Sequence, residues 1–256
     1  EGRARMLEAM RVRSATSSFV AHAAYDLGRG SQRGDADVLK VAIARLSDVS
    51  SEVRREAVFA IGRVANVGDE RATEALVGAL RDYSQPHVRQ QAAEALRWVA
   101  KRGNAQVVAA LRDAVRGDPH AGVRRDAAHA IAEIAEHGDV ETVQALLGQL
   151  SGNEQHEEVC DFLAHAVGSI ASLDNADALF CLLGRLLHGE ASRQVAGEAL
   201  AQLFADDDSL PILAMLVARI EKMEATLDEL QRFVSNGGGA AAAAPELNRG
   251  GRAPPP

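Results

Sequence analysis

The sequence predicts an all-α chain arranged as an α-solenoid, one array of stacked helix pairs with a continuous core. Three observations carry that expectation. In VRREAVFAIGRVA, from Val53 to Ala65, the apolar residues Val53, Ala57, Ala60, Ile61 and Val64 fall on one stripe of an α-helix. The same thirteen-residue frame returns as VRQQAAEALRWVA from Val88, VRRDAAHAIAEIA from Val123 and VCDFLAHAVGSIA from Val159, with looser copies from Phe19 and Ser192. Its starts step by 34, 35, 35, 36 and 33 residues, a period at which each unit buries its face on its neighbours. Aromatics are only 4% of the chain and no alternating Val/Ile/Thr run appears, so a small-residue aliphatic core is expected and no strand.

Each unit reads as helix A, a turn, helix B and a loop. Helix A segments are expected at about 2–12, 36–47, 70–81, 105–116, 140–150 and 175–187, with another from 209 onward, and helix B starts near 19, 53, 88, 123, 159 and 192. Apolar sets such as Leu39/Ile43/Leu46, Leu76/Leu80, Val108/Leu111/Val115 and Leu146/Leu150 mark the inner face of helix A. Gly34-Asp35, Gly68-Asp69, Gly103-Asn104 and Gly138-Asp139 recur between units. The glycine is read as the left-handed C-cap of helix B and the Asp or Asn as the N-cap of the next helix A. Asp174-Asn175 and Asp206-Asp207-Asp208 keep the N-cap chemistry and lose the glycine.

This gives a solenoid of about six repeats over residues 1–210. In 211–235, Leu213, Leu216, Ile220, Met223, Leu227, Leu230 and Val234 alternate spacings of 3 and 4, a heptad seam. That helix either caps the sixth unit or self-associates through 212–234 as a coiled coil. The Gly/Ala/Pro-rich tail 236–256 is expected to be disordered.

Composition removes several classes. Two unpaired cysteines, Cys160 and Cys181, rule out a disulfide framework or a four-thiolate zinc site. No run approaches the roughly 20 apolar residues of a membrane span, and the first ten residues have no signal-peptide core. A cytoplasmic protein is expected, and since the chain opens on Glu1 rather than Met, further repeats upstream remain open. Residues 1–125 carry 21 Lys/Arg against 15 Asp/Glu, a charge of +6; residues 126–210 carry 2 against 16, a charge of −14. The charge is therefore polarised along the array.

The repeat resembles the HEAT-repeat superfamily, specifically the short HEAT-like repeats first named from phycobilisome lyases, whose pattern is a turn Asp followed by V-R-x-x-A-x-x-A-L-G. It stands here as Asp48…Val53-Arg54…Ala57…Ala60-Ile61-Gly62, Asp82…Val88-Arg89…Ala92…Ala95-Leu96 and Asp118…Val123-Arg124…Ala127…Ala130-Ile131. The resemblance covers about residues 1–210 and implies a right-handed superhelix of two-helix repeats. It also implies that the Asp and Arg of successive repeats pair into a structural ladder: Asp48, Arg54, Asp82, Arg89, Asp118, Arg124 and Arg193. The fifth repeat agrees with pairing, since Cys160 replaces the Arg and its turn, SGNEQHEE, has lost the Asp. Paired arginines disfavour nucleic-acid binding.

If helix B lines the concave surface, as the resemblance implies, the residues off the core stripe are candidate partner contacts. They are Tyr25, Arg55, Phe59, Glu94, Trp98, Arg125, His129, His165 and Glu198. The ninth frame position is mostly small (Gly28, Gly62, Ala132, Gly168, Ala201) and is expected to leave the groove floor open. Glu94, His129, His165 and Glu198 are metal-ligand types in one column, but helix spacings of about 8–10 Å strain their convergence. No metal and no cofactor is therefore assigned. The His-Glu pairs of deoxyhypusine hydroxylase are absent from the matching positions, Arg55-Glu56, Gln90-Gln91, Arg125-Asp126, Asp161-Phe162 and Gln194-Val195. His156-Glu157 falls in a turn. No phosphate loop, nucleophile elbow or zincin motif occurs. The expected function is a non-enzymatic scaffold or adaptor for a protein partner of unknown identity, the alternative being a bilin-lyase-like or metal-dependent oxidoreductase activity.

Overall fold

The structure is a computed structural model that describes residues 2–12, 16–82, 84–186 and 190–204. The chain divides into two compact units, Glu1–Leu213 and Ala214–Pro256, and every described residue lies in the first. Residues 205–210, the heptad helix expected over 211–235 and the tail 236–256 lie outside the described residues.

The described residues form helices and no strand. The helices A are α1 (Gly2–Arg11), α3 (Ala36–Arg45), α5 (Glu70–Leu80), α7 (Ala105–Gly117), α9 (Val140–Gly148) and α11 (Ala176–Arg185). The helices B are α2 (Ser17–Gly30), α4 (Ser51–Val64), α6 (Pro86–Val99), α8 (Ala121–Ile134), α10 (Glu157–Ile170) and α12 (Glu190–Leu203). Each helix B begins two residues before its frame, because the opening residues, such as Ser51-Glu52, Pro86-His87 and Glu157-Glu158, suit a first helical turn but stand outside the apolar stripe.

Helices B stack on one another in sequence order, α2 on α4 on α6 on α8 on α10 on α12, and each also packs on its own helix A. Contacts between successive helices A are sparser. The frame residues form the core: Val53, Ala57, Ala60, Ile61 and Val64 are fully buried, as are Val123, Ala127, Ala130 and Ile131. Burying such stripes contributes about 25 cal/mol per Å² of apolar surface, and it requires the neighbouring unit. Leu76, Leu80, Val108, Leu111, Val115 and Leu146 are buried as expected, with Leu150 half-buried. In α3, Val38, Val41 and Ala42 are buried, and the apolar set Leu39, Ile43 and Leu46 is half-buried. A helix A touches both its helix B and the flanking helices A, so its apolar band is wider than one stripe.

Small residues set the closeness of the B layer. A Cβ built on Gly62 would lie 2.9 Å from the Ala95 Cβ, and one on Gly28 would lie 2.9 Å from the Ala60 Cα. The ninth frame position is thus a helix-to-helix contact, and the open groove floor expected there does not exist. Gly28, Gly62 and Gly168 are buried because the next backbone lies against them, and Ala132 is buried too.

The loop glycines also act differently from the expectation. Helix B is closed by an extended residue, Ser31, Ala65, Ala100 or Ala135, whose N–H donates to the carbonyl four back. The glycine comes three residues later, with φ between 78° and 87° at Gly34, Gly68, Gly103 and Gly138. Its N–H donates across to the last turn of the next helix B: Gly34 to Val64 O (2.7 Å), Gly68 to Val99 O (2.6 Å), Gly103 to Ile134 O (2.7 Å) and Gly138 to Ile170 O (2.7 Å). Arg33 and Arg102 donate to the neighbouring carbonyls of Ala65 and Ala135. Each loop therefore satisfies orphan carbonyls of the following repeat. The Asp or Asn beside the glycine caps its own helix A, as Asn175 does without a glycine: Asp35, Asp69, Asn104, Asp139 and Asn175 accept from the N–H three residues on.

Candidate functional site

The arginines of helix B face the turn between helices A and B. Arg54 Nε donates to Asp82 Oδ2 at 2.6 Å while its Nη1 donates to the Asp48 carbonyl at 2.8 Å. Arg89 holds both oxygens of Asp118 (2.6 and 2.9 Å) and the Asp82 carbonyl (2.7 Å). Arg124 likewise holds both oxygens of Glu154 (2.6 and 2.9 Å) and the Asp118 carbonyl (2.9 Å). Each guanidinium thus reaches back to its own turn and forward to an acid of the next. The fifth turn has lost its Asp, and Glu154, one methylene longer, takes the same place. Its signal was present, since the acid follows the Arg by 28, 29 and 30 residues in turn. At Cys160 the series stops, and Arg193 donates to Leu186 O at 3.1 Å. Hydrogen bonds from Arg124, opposed by burial, hold the Glu154 carboxyl below its usual range. Burial alone would raise Asp82, but hydrogen bonds from Ser84 and Arg54 outweigh it and keep it low.

The candidate partner contacts lie on the other side of the helices B, and they form two groups. On α2 and α4, Tyr25 stacks on Phe59 with ring centroids 5.2 Å apart. Arg29 lies over Tyr25, and Arg55 pairs with Glu56. A cleft of about 260 Å³ opens here beside His22, Glu52 and Arg55. On α6, Trp98 is 50% exposed under the Arg97 guanidinium, 5.5 Å from the ring centroid.

The second group spans α6 to α12. His129 tilts against Phe162 at 5.1 Å between centroids, Arg125 bridges Asp126 and Glu158, and Arg97 pairs with Glu133. Glu94 is exposed and accepts from Gln91. Clefts of about 300 and 190 Å³ flank Phe162. His165 and Glu198 border the smaller one, and His165 Nδ1 is buried with no hydrogen-bond partner among the described residues. Phe162, Arg97 and Asp161 belong to this surface and sequence reasoning did not assign them, because they lie three or four residues, about one helical turn, from the chosen column. Two larger clefts, about 500 and 370 Å³, open along the helices A and hold none of the aromatic or candidate partner-contact residues.

Burial and the nearby Arg97 push the His129 pKa down, which keeps the ring neutral, and burial pushes both thiols, Cys160 and Cys181, up and so protonated. Glu94, His129, His165 and Glu198 sit on four successive helices B, and no set of three His, Cys, Asp or Glu side chains suited to a metal ion is found among the described residues. His156 is the N-cap residue of α10, with Glu157 following it as the first helical residue. No described helix is long and apolar enough to cross a membrane.

No curated protein matches the chain. An engineered protein solved by the Northeast Structural Genomics Consortium superposes with a TM-score of 0.58 at 21% identity, over 78% of this chain and 97% of that one. Computationally designed armadillo repeat proteins for modular peptide recognition give 0.54 at 22% identity, over 77% and 98%. Human deoxyhypusine hydroxylase in complex with glycerol gives 0.44 at 19%, over 76% and 82%. At such identities the likeness is one of fold. The family described as HEAT repeats matches residues 6–97, 39–132 and 93–159, more than half of the sequence. With its two-helix units, aliphatic core and repeat-to-repeat hydrogen bonds, the chain belongs to the HEAT-repeat family.

Proposed function

We propose that this protein is a non-enzymatic binding scaffold that docks a protein partner along the face of its helices B. The observation that carries the reading is the set of aromatic side chains held at that face, Tyr25 on Phe59, Trp98 under Arg97 and Phe162 on His129, each beside a charged group. Aromatic rings flanked by guanidinium groups are the side chains that concentrate binding energy at interfaces. The B layer is packed more closely than the A layer, which supports reading this face as the inner, concave side of the array. The peptide recognition for which the similar armadillo repeat proteins were designed is binding of this kind. Arg54, Arg89 and Arg124 are engaged by carboxylates, which argues against phosphate or nucleic-acid contact.

Affinity capture with the full chain tests the reading. Phe59→Ala and Trp98→Ala are expected to weaken retention of the co-purifying protein by more than about 1 kcal/mol each, with helical circular dichroism unchanged. Trp98, the single tryptophan, should also shift its fluorescence when the partner binds. Capture untouched by both substitutions would remove this face from the function.

A further inference from the structure

The three clefts on the face of the helices B differ in charge. The first contains Arg55 with Glu52 and Glu56; the second contains Arg97 and Arg125 with Glu94 and Asp126. The third, between α8, α10 and α12, is lined by His129, Asp161, Phe162, His165, Val195 and Glu198, with no Lys or Arg among its lining residues. Glu198 is exposed and accepts from Gln194 at 3.1 Å; no cation pairs with it among the described residues. Asp161 accepts from Arg185 at 3.3 Å, a guanidinium it shares with Ser192, and burial raises its pKa more than that partner lowers it. The neutral His129 does not oppose an incoming positive charge.

We infer that this cleft holds a Lys or Arg side chain from a basic segment of the docked partner. Its volume, about 190 Å³, is below the roughly 300–1,000 Å³ of small-molecule sites, and suits one long side chain rather than a metabolite. Phe162 and Val195 supply an apolar wall for the aliphatic stem, and the Phe162 ring face adds attraction for the cation. Glu198 and Asp161 stand where the charged head arrives. The surroundings act in the same sense: Glu157 and Glu158 are exposed on α10, and residues 126–210 carry 2 basic against 16 acidic side chains. A segment bearing positive charge is steered to this end of the array, and an acidic one is repelled.

This inference rests on the scaffold reading, and the two fail separately, since Phe59 and Trp98 are judged with captured partner and the cleft with synthetic peptide. The probe is a fluorescein-labelled peptide alternating lysine and serine, compared by anisotropy with its glutamate counterpart on the full chain. The lysine peptide is expected to bind at least about tenfold more tightly, and to weaken as salt is raised. Glu198→Lys should weaken it by about tenfold or more. Glu74→Lys, at an exposed acid on α5 with the same change in net charge, should leave it nearly unaltered. Equal binding of the two peptides, or equal losses from Glu198→Lys and Glu74→Lys, overturns the assignment.

Discussion

Arg124 meets both oxygens of a carboxylate that is 2% exposed, so Glu154 leaves water almost completely on folding. A buried charge of that kind is held only by its partners, here the guanidinium and the N–H groups of Gln155 and His156. Replacing Glu154 with Gln keeps the shape and removes the charge, and is expected to destabilise the fold by about 2 kcal/mol in urea unfolding at neutral pH. The pH dependence follows from the sign of the shift. The folded-state pKa lies below the ordinary value of 4.5, so the contribution is complete above that value and is lost as pH falls through the folded pKa. The difference in stability between wild type and Glu154→Gln should therefore shrink as acid is added below about pH 4.5. A constant difference down to pH 3, to order of magnitude the floor of the carboxylate range, would show that the ion pair is not its source.

Helices B are spaced by glycine and alanine, and that spacing is testable at the level of the element. Gly62 in α4 has Ala95 against it, whereas Gly78 in α5 has open space where a Cβ would go. Gly78→Ala is expected to raise stability by about 0.5–1 kcal/mol through helix propensity. Gly62→Ala gains the same propensity but must force α4 from α6, and is expected to be a net loss of about 1–3 kcal/mol in thermal or urea unfolding. If both substitutions stabilise, the close approach is not tight. The step of 36 residues from Val123 to Val159 also has a structural outcome. Here α9 is followed by a kinked turn, Gln149–Asn153, in which Gly152 leaves helical geometry; it accommodates the longer unit and delivers Glu154 to Arg124.

Across the whole array, principal contacts join only neighbouring helices, and the loop glycines bond one repeat to the next. Stability is then close to a sum of units and their interfaces, and it is weakest where a unit has one neighbour. Amide hydrogen exchange should be slowest in α4, α6 and α8, which have a helix B packed on both sides. Leu96→Ala, at a fully buried position on α6, should destabilise by about 2–5 kcal/mol and accelerate exchange first in α4, α6 and α8. Uniform exchange across all helices would point to a single cooperative globule.

The helix pairs, their order, the buried frame residues and the N-caps were legible because they depend on spacing within about fifteen residues, the range over which helical periodicity and capping act. Tertiary structure alone decided what depends on the facing repeat. Gly34, Gly68, Gly103 and Gly138 serve the next helix B rather than their own, and the ninth position is small because a backbone lies against it. Glu154 replaces a turn aspartate 30 residues from its arginine. Phe162, Asp161 and Glu198 share one cleft although they sit on two helices. Local order in a helix follows from its own side chains; a site between helices follows from the distance between them, which no single frame specifies.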